Sequence, residues 1–410
     1  MSAAGSRANV SRLTLWLLAA MLVITWAVLI HVLRGGMTVT PPVGNSDVTH
    51  CQPGPWGEVS YSRIVIEPPE SVIVAANPKG RTPLWHFPGY TIERLGALWD
   101  GITLTPTERA HFTDRKLWEI MPEGIRLRPN VDVVLSLSPE TRAQIYSVLA
   151  EFPENPDQND PFRFRADAAA EWFAHSGLKP ETIERVKRLL YRRGTSLVCS
   201  DLGLILPQIP TLHERTRLIK TLARKSTLMV KLRIRADSDI EALDRYWGRG
   251  QRAKDIKPLL QSLVREGNGT TIDIIHLLPR HPRSVLYTYP TPDEPGSRTY
   301  MDCHWSVLNF FNTVPDERYM HIDEVNRAFS DEHHPITTAP TFGDVVMFAK
   351  ADGTVIHSCI FIADDIVYTK NGASPNAPWI LMTLSDVIAF YPTAEPIDIQ
   401  YYRAKSIPVN

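Results

Sequence analysis

The 410-residue sequence predicts an α+β chain: a single N-terminal transmembrane helix, a mixed and then helical middle region, and a C-terminal domain in which a helix packs on an antiparallel sheet. Three observations carry this reading. Residues 13–33 contain TLWLLAAMLVITWAVLIHVL, which has no Lys, Arg, Asp or Glu and is long enough as a helix to cross a ~30 Å hydrocarbon layer. Between residues 161 and 266, the runs DAAAEWFAHSG, KPETIERVKRLLYRRG, TLHERTRLIKTLARKS and DIEALDRYWGRG place apolar residues three and four apart, the period of an amphipathic helix. Near the C-terminus, DVVMFA, TVIHSCIFI and DIVYTK are short apolar runs rich in β-branched residues. KADG and ADD separate them, so they read as an antiparallel meander.

The elements follow in order. Residues 1–12 form a short tail, and Arg7, Arg12 and the amino terminus precede the apolar segment while only Arg34 follows closely. Positive charge held inside places that tail in the cytoplasm and the bulk of the chain on the periplasmic or extracellular side of a cytoplasmic membrane, with a single pass. A cleaved signal peptide is the alternative, although its apolar region is usually shorter and ends at a small-x-small site. Residues 34–55 are rich in Gly, Pro and small polar residues and read as a linker. Residues 56–160 mix β-rich runs such as YSRIVIE with helical patches such as SPETRAQIYSVLAEF, where Ser138 marks a helix start. Residues 161–266 are the helical region, and residues 267–410 the C-terminal domain.

Hydrophobic residues make up 43% of the chain and charged residues 22%, an ordinary globular composition that excludes the disordered and collagen-like classes. Net charge is −1, yet between Lys179 and Lys257 there are 19 Lys and Arg against 9 Asp and Glu. A basic block that includes Arg245, Arg249, Arg252 and Lys254 would suit an anionic surface or a cell-wall peptide beside a membrane, or serve as a solvated helix face. Only Tyr246 and Trp247 interleave it, so no nucleic-acid groove is implied.

Four cysteines, Cys51, Cys199, Cys303 and Cys359, are too few for a disulfide scaffold and lack paired C-x-x-C spacing. Pairing of Cys51 with Cys199 is open in an oxidising compartment. No metal or other cofactor is implied; His333 and His334 adjoin on a Pro-rich loop without a third ligand.

The segment YMDCHWSVLNFF, residues 300–311, sets Cys303 in the first turn of a helix that Asp302 can cap. There the exposed amides and the dipole favour thiolate. The same position suits a small core residue. A thiolate nucleophile needs a base, usually His. Adjacent helical residues diverge by about 100°, which turns His304 away from the reaction face. His357 lies mid-strand in TVIHSCIFI, 54 residues after Cys303, and the next strand offers Thr369 and Asn371 as acceptors for its ring Nδ1 proton.

This order resembles the NlpC/P60 superfamily of papain-like cysteine peptidases and amidases: Cys303, then GDVVMF with Gly343 and Asp344, then His357 in an apolar strand, then a polar residue on the next strand. The resemblance covers residues 273–391. It implies a papain-like domain in which a helix bearing Cys303 packs on a sheet bearing His357, and hydrolysis of an amide bond, often in cell-wall peptides. Cys303 would be the nucleophile, His357 the proton carrier and Asn371 the orienting residue. Tyr300, His304, Trp305 and Thr369 would lie along the substrate site, and the Cys303 N–H would help hold the oxyanion. His304 and Trp305 stand where such proteins have small residues after the cysteine, and Ser358 and Cys359 replace a Val-Gly-like pair. Two other readings share these residues: a papain-like module that binds without catalysis, and an acyltransferase whose thioester is shielded from water by Trp305.

Overall fold

In the computed structural model the described residues are 48–75, 82–166, 169–174, 176–194, 196–267, 269–290, 301–391 and 396–407. They build four antiparallel sheets of four, six, three and three strands, all within one compact unit of residues 45–410. The fold is therefore mixed α/β, and it corrects the expected class in two places.

The first correction concerns the membrane. The apolar segment 13–33 lies outside the described residues. Among those described, no helix is long and apolar enough to cross a membrane. The longest, Ala253–Arg265, has 13 residues, which at 1.5 Å each spans about 20 Å, short of a ~30 Å apolar layer. A transmembrane class, the membrane as a partner and a single-pass location thus have no element of the described structure to rest on.

The second correction concerns residues 161–266, which are not purely helical. They contain the strands Phe162–Arg165, Tyr191–Arg193, Ser196–Cys199 and Lys225–Ile234. In Lys225–Ile234, Leu228, Val230, Leu232 and Ile234 are buried while Lys231 and Arg233 are exposed, the two-residue period of a half-buried strand. That strand pairs antiparallel with Glu58–Ile66 along its length, from Glu58 opposite Arg233 to Ile66 opposite Lys225. Residues far apart in the chain thereby share the four-stranded sheet.

The basic block is also reinterpreted. Arg249 donates to the Phe342 carbonyl at 2.7 Å, and Arg252 to the carbonyls of Leu277 and Trp247. These two charges bind the fold's interior and are not available to an anionic surface; only Arg245 and Lys254 of the four are exposed.

The six-stranded sheet runs in the order His333–Ile336, Asp398–Ala404, Val345–Ala349, Val355–Ala363, Ile366–Lys370, Trp379–Thr383. Both of its faces are covered. On one, Ile360, Ile362, Tyr368 and Leu381 join a core that continues through Trp305, Phe310, Phe342 and Trp247 to Leu228, Val230 and Leu232 of the four-stranded sheet. On the other, Val346, Phe348, Cys359, Phe361 and Val367 pack with Val387. A strand buried on both sides needs continuous apolar character, which explains TVIHSCIFI. The two sheets are also stitched by Thr227, whose Oγ1 donates to the Leu381 carbonyl at 2.9 Å and accepts from the Leu381 N–H at 3.1 Å.

The entry to the meander is held by Gly343 and Asp344. Gly343 has φ +88°, and a Cβ there would sit 2.3 Å from the Phe311 ring, so only glycine fits. Asp344, 1% exposed, receives a two-pronged bond from Arg403, Nε to Oδ1 at 2.9 Å and Nη2 to Oδ2 at 2.6 Å, plus Arg249 Nη1 at 3.2 Å and the Thr341 N–H at 2.8 Å. An aspartate so paired is a structural clamp. Asp344→Ala would strand two largely buried guanidinium groups, and we expect it to lower stability by about 3–5 kcal/mol. Urea unfolding checks this; a loss under about 1 kcal/mol would show that the pair is not needed.

Candidate active site

The helix Cys303–Leu308 begins at the sulfur. Asp302 is its N-cap, with a carboxylate oxygen accepting from the Trp305 N–H at 2.9 Å, while Ser306 Oγ donates back to the Asp302 carbonyl at 2.6 Å. Trp379 Nε1 donates to that same Ser306 hydroxyl at 2.9 Å, so the helix is fastened to the edge strand of the six-stranded sheet. The helix also packs on the strands Val355–Ala363 and Ile366–Lys370. Cys303 is 6% exposed and sits where helix and sheet meet.

His357, fully buried mid-strand, is held between aromatic rings: Tyr391 stacks on it at 4.6 Å and Phe348 meets it edge-on at 5.3 Å. Its Nε2 lies 2.9 Å from Thr369 Oγ1, and that hydroxyl donates to Asn371 Oδ1 at 3.0 Å. Because the threonine's proton points to Asn371, the hydroxyl accepts from His357, so the ring's Nε2 carries a proton. Nδ1 is buried and has no formed hydrogen bond. The ring nitrogen bound by the polar partner is thus Nε2 rather than Nδ1, and the two alternative partners act in series: Thr369 touches the ring, and Asn371 orients Thr369. Asn371 Nδ2 in turn meets only the weak acceptor Met382 Sδ at 3.2 Å.

His304 also reaches the sulfur, despite its position next to Cys303. Its Nδ1 is 2.8 Å from Ser358 Oγ, which keeps the ring at the strand beside the helix start. Burial pushes the Cys303 thiol up, but charge interaction and hydrogen bonding with His304, then His357, outweigh it and bring the thiol down to about 5. Conversely, burial would lower His304, yet the Cys303 thiolate and Asp302 raise it to about 8. Between those values the favoured state is a thiolate beside an imidazolium.

The other three cysteines behave oppositely. All four are free. Burial, aided by Asp364 and Asp365, pushes Cys51 up to about 12; burial, aided by Asp201, does the same for Cys199. Burial and the negative charge of Cys303 drive Cys359 well above the ordinary range.

Of the remaining residues expected along the site, Tyr300 lies outside the described residues. Trp305 is 3% exposed and belongs to the core, meeting His281 edge-on at 5.3 Å. His333 sits in a strand, with Nδ1 3.1 Å from the Ala328 carbonyl. Among the described residues no group of three or more His, Cys, Asp or Glu is placed to hold a metal ion. Two members of the site had no functional reading in the sequence. Ser358 registered only as a departure from the family pattern, and Tyr391 follows the helix Leu384–Phe390 with no local signal.

The pH dependence of alkylation follows from the thiol's lowered value. Iodoacetamide should modify Cys303 at nearly the same thiolate-limited rate from pH 8 to pH 6 and lose rate below about 5, whereas an ordinary thiol of pKa ~8.5 is under roughly 1% ionised at pH 6. His304→Ala and His357→Ala should each move the inflection upward, His304→Ala by more. Peptide mapping that finds Cys199 or Cys359 labelled as fast as Cys303 at pH 6 would exclude an activated thiol. No known protein family, curated protein or solved structure matches this chain.

Proposed function

We propose that residues 267–410 carry a cysteine hydrolase that cleaves an amide bond, with Cys303 as nucleophile, His357 as proton carrier, and Thr369 and Asn371 holding the ring. The observation that carries the reading is the relay from Asn371 through Thr369 to His357, which leaves Nδ1 open beside a thiol brought down to about 5. The order of these residues is also the one that resembles the NlpC/P60 arrangement.

In this mechanism the Cys303 thiolate adds to the carbonyl carbon, and the oxygen takes the electron pair. The Cys303 N–H at the helix start and the neighbouring imidazolium stabilise that oxyanion. As the C–N bond breaks, His357 Nδ1, holding the proton given up by the Cys303 thiol, passes it to the leaving amine, giving a thioester. Water then attacks the thioester, His357 Nδ1 takes its proton, and the C–S bond breaks to free the acid and restore the thiolate. His304 supports the anionic sulfur through both half-reactions.

Incubation of the full chain with a library of short acyl-peptides, followed by mass spectrometry, tests the proposal. Fragments whose masses sum to substrate plus one water are expected, with rates lowered more than about a thousandfold in Cys303→Ala and His357→Ala. Thr369→Val should cost about tenfold or more, because it frees the ring's tautomer, and Asn371→Ala less. Cleavage that survives Cys303→Ala unchanged would contradict the assignment.

A further inference from the structure

A cavity of about 510 Å³ abuts the far end of the relay, with Asn371 and Tyr391 in its wall. Three cations, Arg163, Arg193 and Lys350, line it against a single carboxylate, Asp160. A smaller adjoining cavity shares Asp160, Arg163 and Asn371 and adds Lys225.

Two of these cations are poorly compensated. Arg163 gives one bond to the Phe390 carbonyl and lies over the Phe390 ring at 4.3 Å, but its Nε is buried with no partner. Burial, with repulsion from Arg193, lowers it to about 10. The Lys225 ammonium forms no hydrogen bond or salt bridge among the described residues; burial brings it down to about 8, with Asp160 offsetting and Arg163 reinforcing. The two cavity linings set one carboxylate, Asp160, against four cations, and the buried Arg163 Nε is a donor without a partner, which is unfavourable. An oxyanion from solution would satisfy Arg163 Nε and Lys225 together, and Asn371 Nδ2 could exchange its weak sulfur acceptor for an oxygen.

Building on the proposed hydrolase, we infer that this cleft is a substrate subsite for an oxyanionic group, a carboxylate or a phosphate, carried by the amide substrate. The subsite adjoins the residues that orient His357, so an anionic substrate would dock against the same wall that holds the catalytic ring.

Calorimetric titration of the full chain at pH 7 with glutarate and, separately, inorganic phosphate, at constant ionic strength and against chloride, tests this. Saturable binding of at least one is expected, the tighter naming the group, and Lys225→Met should weaken it about tenfold, the loss of one charge-assisted bond. Arg163→Gln should do the same; if loss of its Phe390 contact prevents folding, Lys225→Met, which replaces the ammonium with an apolar chain of similar length, carries the test alone. No saturable binding beyond chloride, or unchanged affinity in Lys225→Met, overturns the subsite. Iodoacetamide labelling of wild-type Cys303 in the same sample reports the nucleophile separately. Anion binding lost with labelling kept therefore rejects the subsite and leaves the hydrolase standing.

Discussion

A thiolate inside a protein exists only if nearby positive charge exceeds the cost of removing it from water. Cys303 meets that condition and the other three cysteines do not, although Cys199 and Cys359 are equally enclosed. The difference is two imidazoles acting on one sulfur, His304 from the sulfur's own helix and His357 from the strand Val355–Ala363. Each is positioned by a hydroxyl, Ser358 for one and Thr369 for the other. Aromatic neighbours, Tyr391 and Phe348 for His357 and Phe329 for His304, hold the rings alongside those hydroxyls.

The rest of the fold keeps helix and strand in that relation. Asp302 caps the helix start and Trp379 fastens its next turn to the sheet edge, so the sulfur cannot drift from the strands. The Asp344 clamp and Gly343 fix where the meander enters, which sets the register of Val345–Ala349 against Val355–Ala363 and so the height of His357, paired opposite Phe348. Burial on both faces makes a shift of register costly, since a slip of one residue would exchange His357 with an apolar neighbour.

Much of this local arrangement was legible in the sequence because it rests on short-range signals. The apolar runs around Val346, Ile360 and Val367, separated by turn residues, specify successive strands, and an aspartate before a short apolar segment specifies a cap. The Cys303 and His357 pair followed from chain order and chemistry. What was not legible depends on partners distant in the chain. KSTLMVKLRI reads as part of a basic helical stretch until its nine-residue pairing with Glu58–Ile66 is seen. Arg249 and Arg252 count as surface charge until Phe342, Asp344 and Leu277 appear beside them. The choice between Thr369 and Asn371 could not be made from spacing, since they act in series. His304 was set aside on helical geometry, which ignores the Ser358 hydroxyl that draws it back. The anchor inferred from residues 13–33 has no counterpart among the described residues, where no helix reaches membrane-spanning length.

The thiolate itself can be measured without any substrate. The ultraviolet absorbance of thiolate, taken as the difference between the wild-type chain and Cys303→Ser across a pH titration, counts ionised Cys303 alone. With the two imidazoles outweighing burial, the inflection falls near 5, far below the ~8.5 of an ordinary thiol. An inflection at or above ~8.5 would mean that burial prevails over the two imidazoles and that Cys303 is a core residue.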